Sequence, residues 1–176
     1  MQRAARWTVA VVAAIGRWRR RRSRRSRTRD VFVNAQGKEV GTLTVEHMPS
    51  GTMFLLKARP ARRRARRAHP RRGTCTPPSF DSAGPHWNPA GAQHGKDNPK
   101  GKHGGDLDNL TIPANGKLEP QVVLPGTALR GAGGLLDEDG ASIVIHANPD
   151  DYKTDPSGNL GARIACALIE IDDRQD

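Results

Sequence analysis

Residues 85–106, PHWNPAGAQHGKDNPKGKHGGD, decide how this chain is organised. The stretch carries three of the six histidines of the chain and ends in an aspartate: His86, His94, His103 and Asp106. It is too rich in Gly, Pro, Asn and Lys for a helix or a strand, and a loop this polar has no apolar face to bury. Three imidazoles and a carboxylate form a complete tetrahedral ligand set for zinc, so a bound metal would replace the missing core. The alternative is an ordinary loop with histidines on its surface.

Several motifs that follow one another along the chain resemble the bacterial copper/zinc superoxide dismutases. They are PHWNP, QHG, KHGGDLDNL and IVIHANPDDYKTDPSGNLGARIACALI. The resemblance covers 31–58 and 73–170 and leaves out 1–29 and 59–72. It implies an all-β fold, a Greek-key β-sandwich or flattened barrel of about eight strands with long metal-binding and electrostatic loops. The alternation of apolar and polar residues supports the all-β class by itself.

The resemblance also implies a copper site bridged to a zinc site, with copper and zinc as cofactors. His86 would bridge the two metals, and His146 would be a further copper ligand. The zinc ligands would be His86, His94, His103 and Asp106. A lone histidine at the end of a strand, such as His146, is usually structural, so this role depends on the resemblance alone.

Two further residues receive roles from the same resemblance. Arg163 would be the catalytic arginine that attracts the superoxide anion to copper, and Asp150 would orient metal-binding imidazoles from outside the ligand set. The reaction implied is the conversion of superoxide into oxygen and hydrogen peroxide, and superoxide would be the partner molecule. Without the resemblance, Arg163 would be read as a solvated charge on a strand.

Residues 59–72, RPARRRARRAHPRR, depart from the family pattern. The family has a strand that ends in His-x-His shortly before the Gly-Thr-Cys that is found here at 73–75. Counting back from Cys75, these two copper ligands belong at positions occupied by Ala68 and Pro70, with His69 between them. Neither alanine nor proline can bind a metal. We therefore expect zinc binding to be retained, and most copper affinity and dismutase activity to be lost.

The genetic code offers an explanation for this departure. Ala-His-Pro-Arg, the sequence from Ala68 to Arg71, can be encoded as GCA CAT CCA CGA. Read one nucleotide later, the same bases encode His-Ile-His followed by Asp or Glu. Our hypothesis is that 59–72, and also 17–29, were read out of frame, and resequencing the gene tests it. An unbroken frame without a nearby insertion or deletion would contradict it. The alternative is a genuine basic insertion that binds a polyanion.

The net charge of +11 comes from two arginine runs. Residues 1–29 hold eleven arginines and 59–72 hold eight, without an acidic residue in either; the rest of the chain has 10 basic and 18 acidic residues. No specific nucleic acid is therefore expected as a partner. The less favoured reading is a polyanion or nucleic-acid binder, whose affinity would fall steeply with salt.

The start of the chain resembles a secretory signal, because a basic opening precedes the apolar stretch 7–16. The arginines that follow interrupt this signal. Three regions are expected: a signal-like, Arg-rich and disordered 1–29, a superoxide dismutase-like domain over 30–171, and a tail over 172–176. The resemblance implies a periplasmic or extracellular location at the cell envelope. It leaves open membrane association and the choice between a monomer and a homodimer.

Cys75 and Cys166 are the only cysteines. Two cysteines in a chain with an export-like start favour one disulfide, with two unpaired thiols as the alternative. In the family that the chain resembles, the matching pair ties the loop before the metal site to the last strand.

The strand signals support the same domain. Residues 31–58 predict two strands around a QGK turn and a PSG turn into TMFLLKA, with His47 exposed on a strand. Residues 110–124 predict a strand, a turn and a strand. Strands are also predicted at 141–146 and 161–169, and the segments 131–134 and 137–140 are predicted to be loops.

Overall fold

The computed structural model describes residues 27–58, 74–111, 119–136 and 140–170 of the chain. These residues contain six strands: β1 Arg27–Asn34, β2 Glu39–Met48, β3 Gly51–Ala58, β4 Gln121–Pro125, β5 Ala141–His146 and β6 Arg163–Ile169. They form one antiparallel sheet in the order β4-β3-β2-β1-β6-β5, which curls into half a barrel. The all-β prediction is confirmed. The only helix in this part of the chain is a single 3₁₀ turn at Asp81–Ala83, so none is long enough to cross a membrane.

The alternation of side chains along the strands builds the core. In β2, Leu43 and Val45 are almost fully buried, whereas the residues between and beside them are partly exposed. Every strand contributes to one apolar cluster on the inner face of the sheet. Its strand members are Phe32, Leu43, Val45, Phe54, Leu56, Leu124, Ile143, Ala165, Ala167 and Ile169. Leu129 and Leu135, from the connection between β4 and β5, also belong to this cluster, and Trp87, Leu107 and Leu110 from the segment before β4 pack against it.

The strand order shows how the long loops are placed. β1, β2 and β3 follow one another through short turns, and β3 pairs with β4. The connection from β4 to β5 then crosses from one edge of the sheet to the other. The described part of the long segment between β3 and β4, residues 74–111, is linked to β6 through Cys166 and Arg163.

The first strand begins earlier than the sequence predicted. β1 starts at Arg27, whereas the first strand was predicted from residue 31 and the domain from residue 30. The ladder with β2 continues through Arg27, which lies opposite Glu46, so backbone pairing extends the strand beyond the apolar alternation. The range 31–58 also contains parts of three strands where two were predicted. β6 begins at Arg163 instead of residue 161.

Other predictions fall where the structure is not described. Residues 59–72, the signal-like and Arg-rich start before residue 27, and the tail from 172 lie outside the described residues. The strand pair expected over 110–124 is represented by β4 alone, since 112–118 lie outside as well. Six of the eight expected strands are thus present in the described part of the chain. The strand over Ala141–His146 is confirmed, and so is the loop at 131–134.

A disulfide connects the start of the long loop 74–111 to the sheet. Cys75 is bonded to Cys166 of β6, and their Cα atoms lie 5.6 Å apart. Cys166 is fully buried, while Cys75 is partly exposed. The prediction of one disulfide is confirmed, and the bond anchors this loop to the last strand.

Replacing Cys75 with serine is expected to reduce the free energy of unfolding by about 4 kcal/mol, since the bond closes a loop across 91 residues. Urea unfolding of the oxidised protein and of the Cys75→Ser variant, both saturated with zinc, measures the difference. Cys75 is the better choice because its side chain is not in the core. Equal midpoints would show that the disulfide does not constrain the unfolded chain.

Candidate metal centre

Four side chains of the loop 74–111 converge on one point. The ligand atoms of this group all lie within 4.8 Å of one another, and its members are His86, His94, His103 and Asp106. His94, His103 and Asp106 are buried, and His86 is partly exposed. A buried set of three imidazoles and one carboxylate is a donor set that suits zinc. The residues present therefore fit this metal.

Asp106 is the centre of the group. Its Oδ1 lies 2.8 Å from Nδ1 of His86, 3.0 Å from Nδ1 of His94 and 3.1 Å from Nδ1 of His103. Its Oδ2 accepts the backbone N–H groups of Gly95 at 2.9 Å and of His103 at 3.0 Å. These contacts, together with the packing of Trp87, Leu107 and Leu110 against the core, define the shape of the loop. All three histidines face the carboxylate through the same ring nitrogen, Nδ1.

His94 is also held from its other side. Its Nε2 lies 3.0 Å from both carboxylate oxygens of Asp150, which belongs to a second loop, 147–160, that we call the capping loop. The His94 side chain is fully buried, and that of Asp150 is 5% exposed. A carboxylate on the outer nitrogen of a metal-binding imidazole fixes its tautomer and orientation. The sequence predicted this role for Asp150, and the structure places its carboxylate against His94.

Burial and charge act against each other in the cluster. Burial alone would lower the pKa of His94, but the carboxylates of Asp150 and Asp106 hold it above its ordinary value. Burial would raise the pKa of Asp106, yet the N–H of Gly95 and the neighbouring imidazoles keep it below its ordinary value. Zinc requires neutral imidazole, so it competes with the proton on His94.

His146 and Arg163 lie beside this cluster at the ends of β5 and β6. The two residues are cross-strand partners, next to an irregularity in the ladder, and the ring of His146 lies 6.2 Å from the ring of His86. Burial lowers the pKa of His146. The guanidinium of Arg163 donates to the carbonyl oxygens of Phe80 and Gly84, both at 2.7 Å. It therefore braces the 3₁₀ turn while keeping further N–H donors for an anion.

Among the described residues, His86 and His146 are the imidazoles near one another that could hold copper. The two positions at which the sequence predicts further copper ligands, now Ala68 and Pro70, lie outside the described residues. His47 is exposed on β2, as predicted, and is not a member of the metal-binding group. The described residues thus offer a complete donor set for zinc and two imidazoles for copper.

Trp87 supports the cluster through two glycines. Gly105 donates its N–H to the carbonyl oxygen of Trp87 at 2.8 Å. A Cβ on Gly104 would overlap the six-membered ring of Trp87, which itself packs against the core. A Cβ on Gly105 would lie 3.0 Å from the backbone nitrogen of Trp87. The Gly-Gly pair between His103 and Asp106 therefore lets this segment pass close to Trp87.

The Gly104→Ala variant is expected to lose about 1–3 kcal/mol of stability, since the added methyl group overpacks the contact with Trp87. It should also weaken zinc binding, because the displaced backbone carries His103 and Asp106. Thermal unfolding and a zinc titration measure the two effects. Combining the change with Trp87→Leu, which removes the indole, should recover part of the zinc affinity. Wild-type zinc affinity in the single variant would contradict the proposed contact.

Some supporting residues could not be found from the sequence. Asn109, Tyr152 and Trp87 connect the metal-binding loop with its surroundings, yet none belongs to a residue type that signals a metal. The two carbonyl acceptors of Arg163 are backbone groups, so they have no sequence signal. The spacing of His86, His94, His103 and Asp106 was informative because all four are potential ligands.

Comparisons with known proteins agree with the fold and the cluster. The family model of copper/zinc superoxide dismutase (SODC) matches residues 39–169. The Superoxide dismutase [Cu-Zn] of Caulobacter vibrioides is 42% identical over 139 residues, which is 76% of this chain and 80% of that protein. The Superoxide dismutase [Cu-Zn] 2 of Aquifex aeolicus is 40% identical over 143 residues, or 78% of this chain and 83% of its own length.

A solved structure gives the same result. The crystal structure of a SOD-like protein from Bacillus subtilis is similar with a TM-score of 0.70 and 36% sequence identity. The similarity covers 81% of this chain and 97% of that protein. Residues 39–169, which the family model matches, include the metal-binding group and both cysteines of the disulfide. The chain therefore belongs to the copper/zinc superoxide dismutase family.

Proposed function

We propose that this protein holds zinc through His86, His94, His103 and Asp106, and that its superoxide dismutase activity is impaired because the copper site is incomplete. Members of the family use copper and zinc, and superoxide is their substrate. The observation that carries the proposal is the contrast between the two halves of the site. The zinc ligands converge on one carboxylate, while two positions expected to bind copper are occupied by Ala68 and Pro70.

The zinc half has what a structural site requires. Its donors are of the right type, three of the four are buried, and the carboxylate of Asp150 supports His94 from outside. Bound zinc would neutralise the negative charge of Asp106 and connect the three histidines. The free energy of binding would then contribute directly to the folding of the loop 74–111.

The copper half retains groups that could act on an anion. Copper would supply the one-electron redox chemistry of the family, and His86 and His146 are the imidazoles that remain to bind it. Arg163 is the cross-strand neighbour of His146, and its charge would attract superoxide to this side of the cluster. Two imidazoles alone would make a weak and open copper site.

A second candidate function follows from the same contrast. A zinc-stabilised, non-enzymatic member of the family needs the zinc half and the disulfide, and both are present. It does not need the ligands missing at Ala68 and Pro70. The two candidates differ in one property, which is whether added copper produces turnover that depends on Arg163.

We also propose a location outside the cytoplasm. The disulfide between Cys75 and Cys166 supports this, because such bonds persist in oxidising compartments. The distribution of a tagged protein between periplasmic and cytoplasmic fractions tests the proposal. Recovery of only the cytoplasmic form, with both thiols free, would contradict it.

Superoxide consumption by the protein loaded with copper and zinc tests the proposed function. We expect a rate far below that of an active family member in the same assay, and a further decrease in the Arg163→Ala variant. A rate equal to that of the active enzyme would contradict the proposed impairment. A residual rate that does not change in Arg163→Ala would favour the non-enzymatic candidate.

A further inference from the structure

We propose that Asn109 is a positioning residue that sets zinc affinity by fixing Asp150 against His94, an inference that depends on the proposed zinc site. The side chain of Asn109 contacts both backbone groups of Asp150. Its Oδ1 accepts the N–H of Asp150 at 2.7 Å, and its Nδ2 donates to the carbonyl oxygen of Asp150 at 2.9 Å. These two hydrogen bonds restrict the rotation of the Asp150 backbone and also its distance from Asn109.

This amide clamp, defined as the two hydrogen bonds between Asn109 and Asp150, connects two loops. Asn109 follows the ligand Asp106 by three residues in the loop 74–111, and Asp150 belongs to the capping loop. The two residues are 41 positions apart in the sequence. Because the clamp holds the backbone of Asp150, it determines where the carboxylate reaches Nε2 of His94.

The surrounding contacts leave Asp150 little freedom. Asn109 also donates its backbone N–H to the hydroxyl oxygen of Tyr152 at 2.9 Å, and Asp150 accepts the N–H of Tyr152 at 2.7 Å. On the other side, a Cβ on Gly158 would overlap the carboxylate of Asp150. Asn109 therefore contacts both Asp150 and Tyr152, alongside the contacts that His94 makes with Asp150 and that Asp97 makes with Tyr152.

The clamp would act on zinc through His94. An imidazole that is oriented by a carboxylate binds metal more tightly, and loss of such a partner typically weakens metal affinity by about 10–100-fold. Asn109 is one contact further from the metal than Asp150. Its loss should therefore give an effect at the lower end, about tenfold, because Asp150 stays close but becomes less well oriented.

Zinc affinity of the Asn109→Ala variant, measured by competition with a chromophoric chelator, is the first test. We expect about tenfold weaker binding than in the unaltered protein. Asn34→Ala is the matched control, because the side chain of Asn34 also accepts backbone N–H groups, those of Gln36 and Lys38 in the turn between β1 and β2. It should lower thermal stability and leave zinc affinity unchanged.

A double-mutant cycle shows whether Asn109 acts through Asp150. In the Asp150→Ala background the carboxylate is absent, so adding Asn109→Ala should not weaken zinc binding further. A full additional loss in that background would overturn the inference, because Asn109 would then act by shaping its own loop near Asp106. An unchanged affinity of the single variant would overturn it as well.

Failure of the proposed zinc site can be distinguished from failure of the inference about Asn109. If the unaltered protein binds no zinc, the proposed function fails before the role of Asn109 is reached. If Asn109→Ala does not fold, Asn109→Asp replaces it, since this residue has the same shape and keeps the acceptor for the N–H of Asp150. Asn109→Asp loses the donor to the carbonyl oxygen, so zinc binding should again weaken; unchanged affinity there would contradict the inference.

Discussion

Replacing Asp106 with alanine is expected to abolish tight zinc binding. All three histidines face its carboxylate, and the distances from their Nδ1 atoms to Oδ1 of Asp106 are 2.8–3.1 Å. Structural zinc sites bind with about 10–16 kcal/mol in total, so one of four ligands accounts for about 2.5–4 kcal/mol, or roughly a hundredfold to a thousandfold in affinity. The change also leaves the N–H groups of Gly95 and His103 without their acceptor. Chelator competition measures the affinity.

Asp108→Ala is the control for this prediction. Asp108 lies two residues further along the same loop, but its side chain is exposed and pairs with Lys96 at the surface. Surface ion pairs contribute little, so zinc affinity should stay within about twofold of the unaltered protein. If Asp106→Ala bound zinc as tightly as Asp108→Ala, the cluster would not be the zinc site.

Introducing histidine at positions 68 and 70 is expected to create a functional copper site. In a strand, His-x-His places both imidazoles on one face, so the Ala68→His/Pro70→His variant would add two ligands to His86 and His146. We expect copper binding to tighten by at least about a hundredfold, which corresponds to about 2.7 kcal/mol. Isothermal titration with copper, on protein already holding zinc, measures the change, and superoxide consumption should increase with it.

A second variant separates the missing ligands from the surrounding sequence. Ala68→His, His69→Ile, Pro70→His and Arg71→Asp together reproduce the alternative reading frame. If the hypothesis of a frame error is correct, this variant should equal or exceed the double variant in copper affinity. The same changes combined with His146→Ala should bind copper weakly. Copper affinity that is equally high with and without the added histidines would contradict the proposed loss.

The zinc cluster was the most predictable part of the molecule. Its four members are potential ligands at a characteristic spacing in a polar loop. Clean alternation likewise predicted Ala141–His146, which is β5, because a half-buried strand repeats every two residues. These features depend on residue types and on short-range spacing, both of which can be seen directly in the sequence. The packing of Trp87, Leu107 and Leu110 against the core was not predicted.

Other features depend on contacts between distant segments. The early start of β1 at Arg27 results from backbone pairing with β2, which does not require an apolar residue. The clamp between Asn109 and Asp150 joins two loops through one amide side chain. The groups that accept hydrogen bonds from Arg163 are backbone carbonyls, which every residue has. None of these could be read from composition or periodicity.

The metal content of the unaltered protein tests the central claim most directly. Native mass spectrometry after loading with both ions, followed by removal of loosely bound metal, counts zinc and copper per chain. The proposed site predicts one zinc in each chain and copper well below one. One zinc together with one tightly held copper would contradict the proposed loss of copper binding. Copper would then need ligands in addition to His86 and His146.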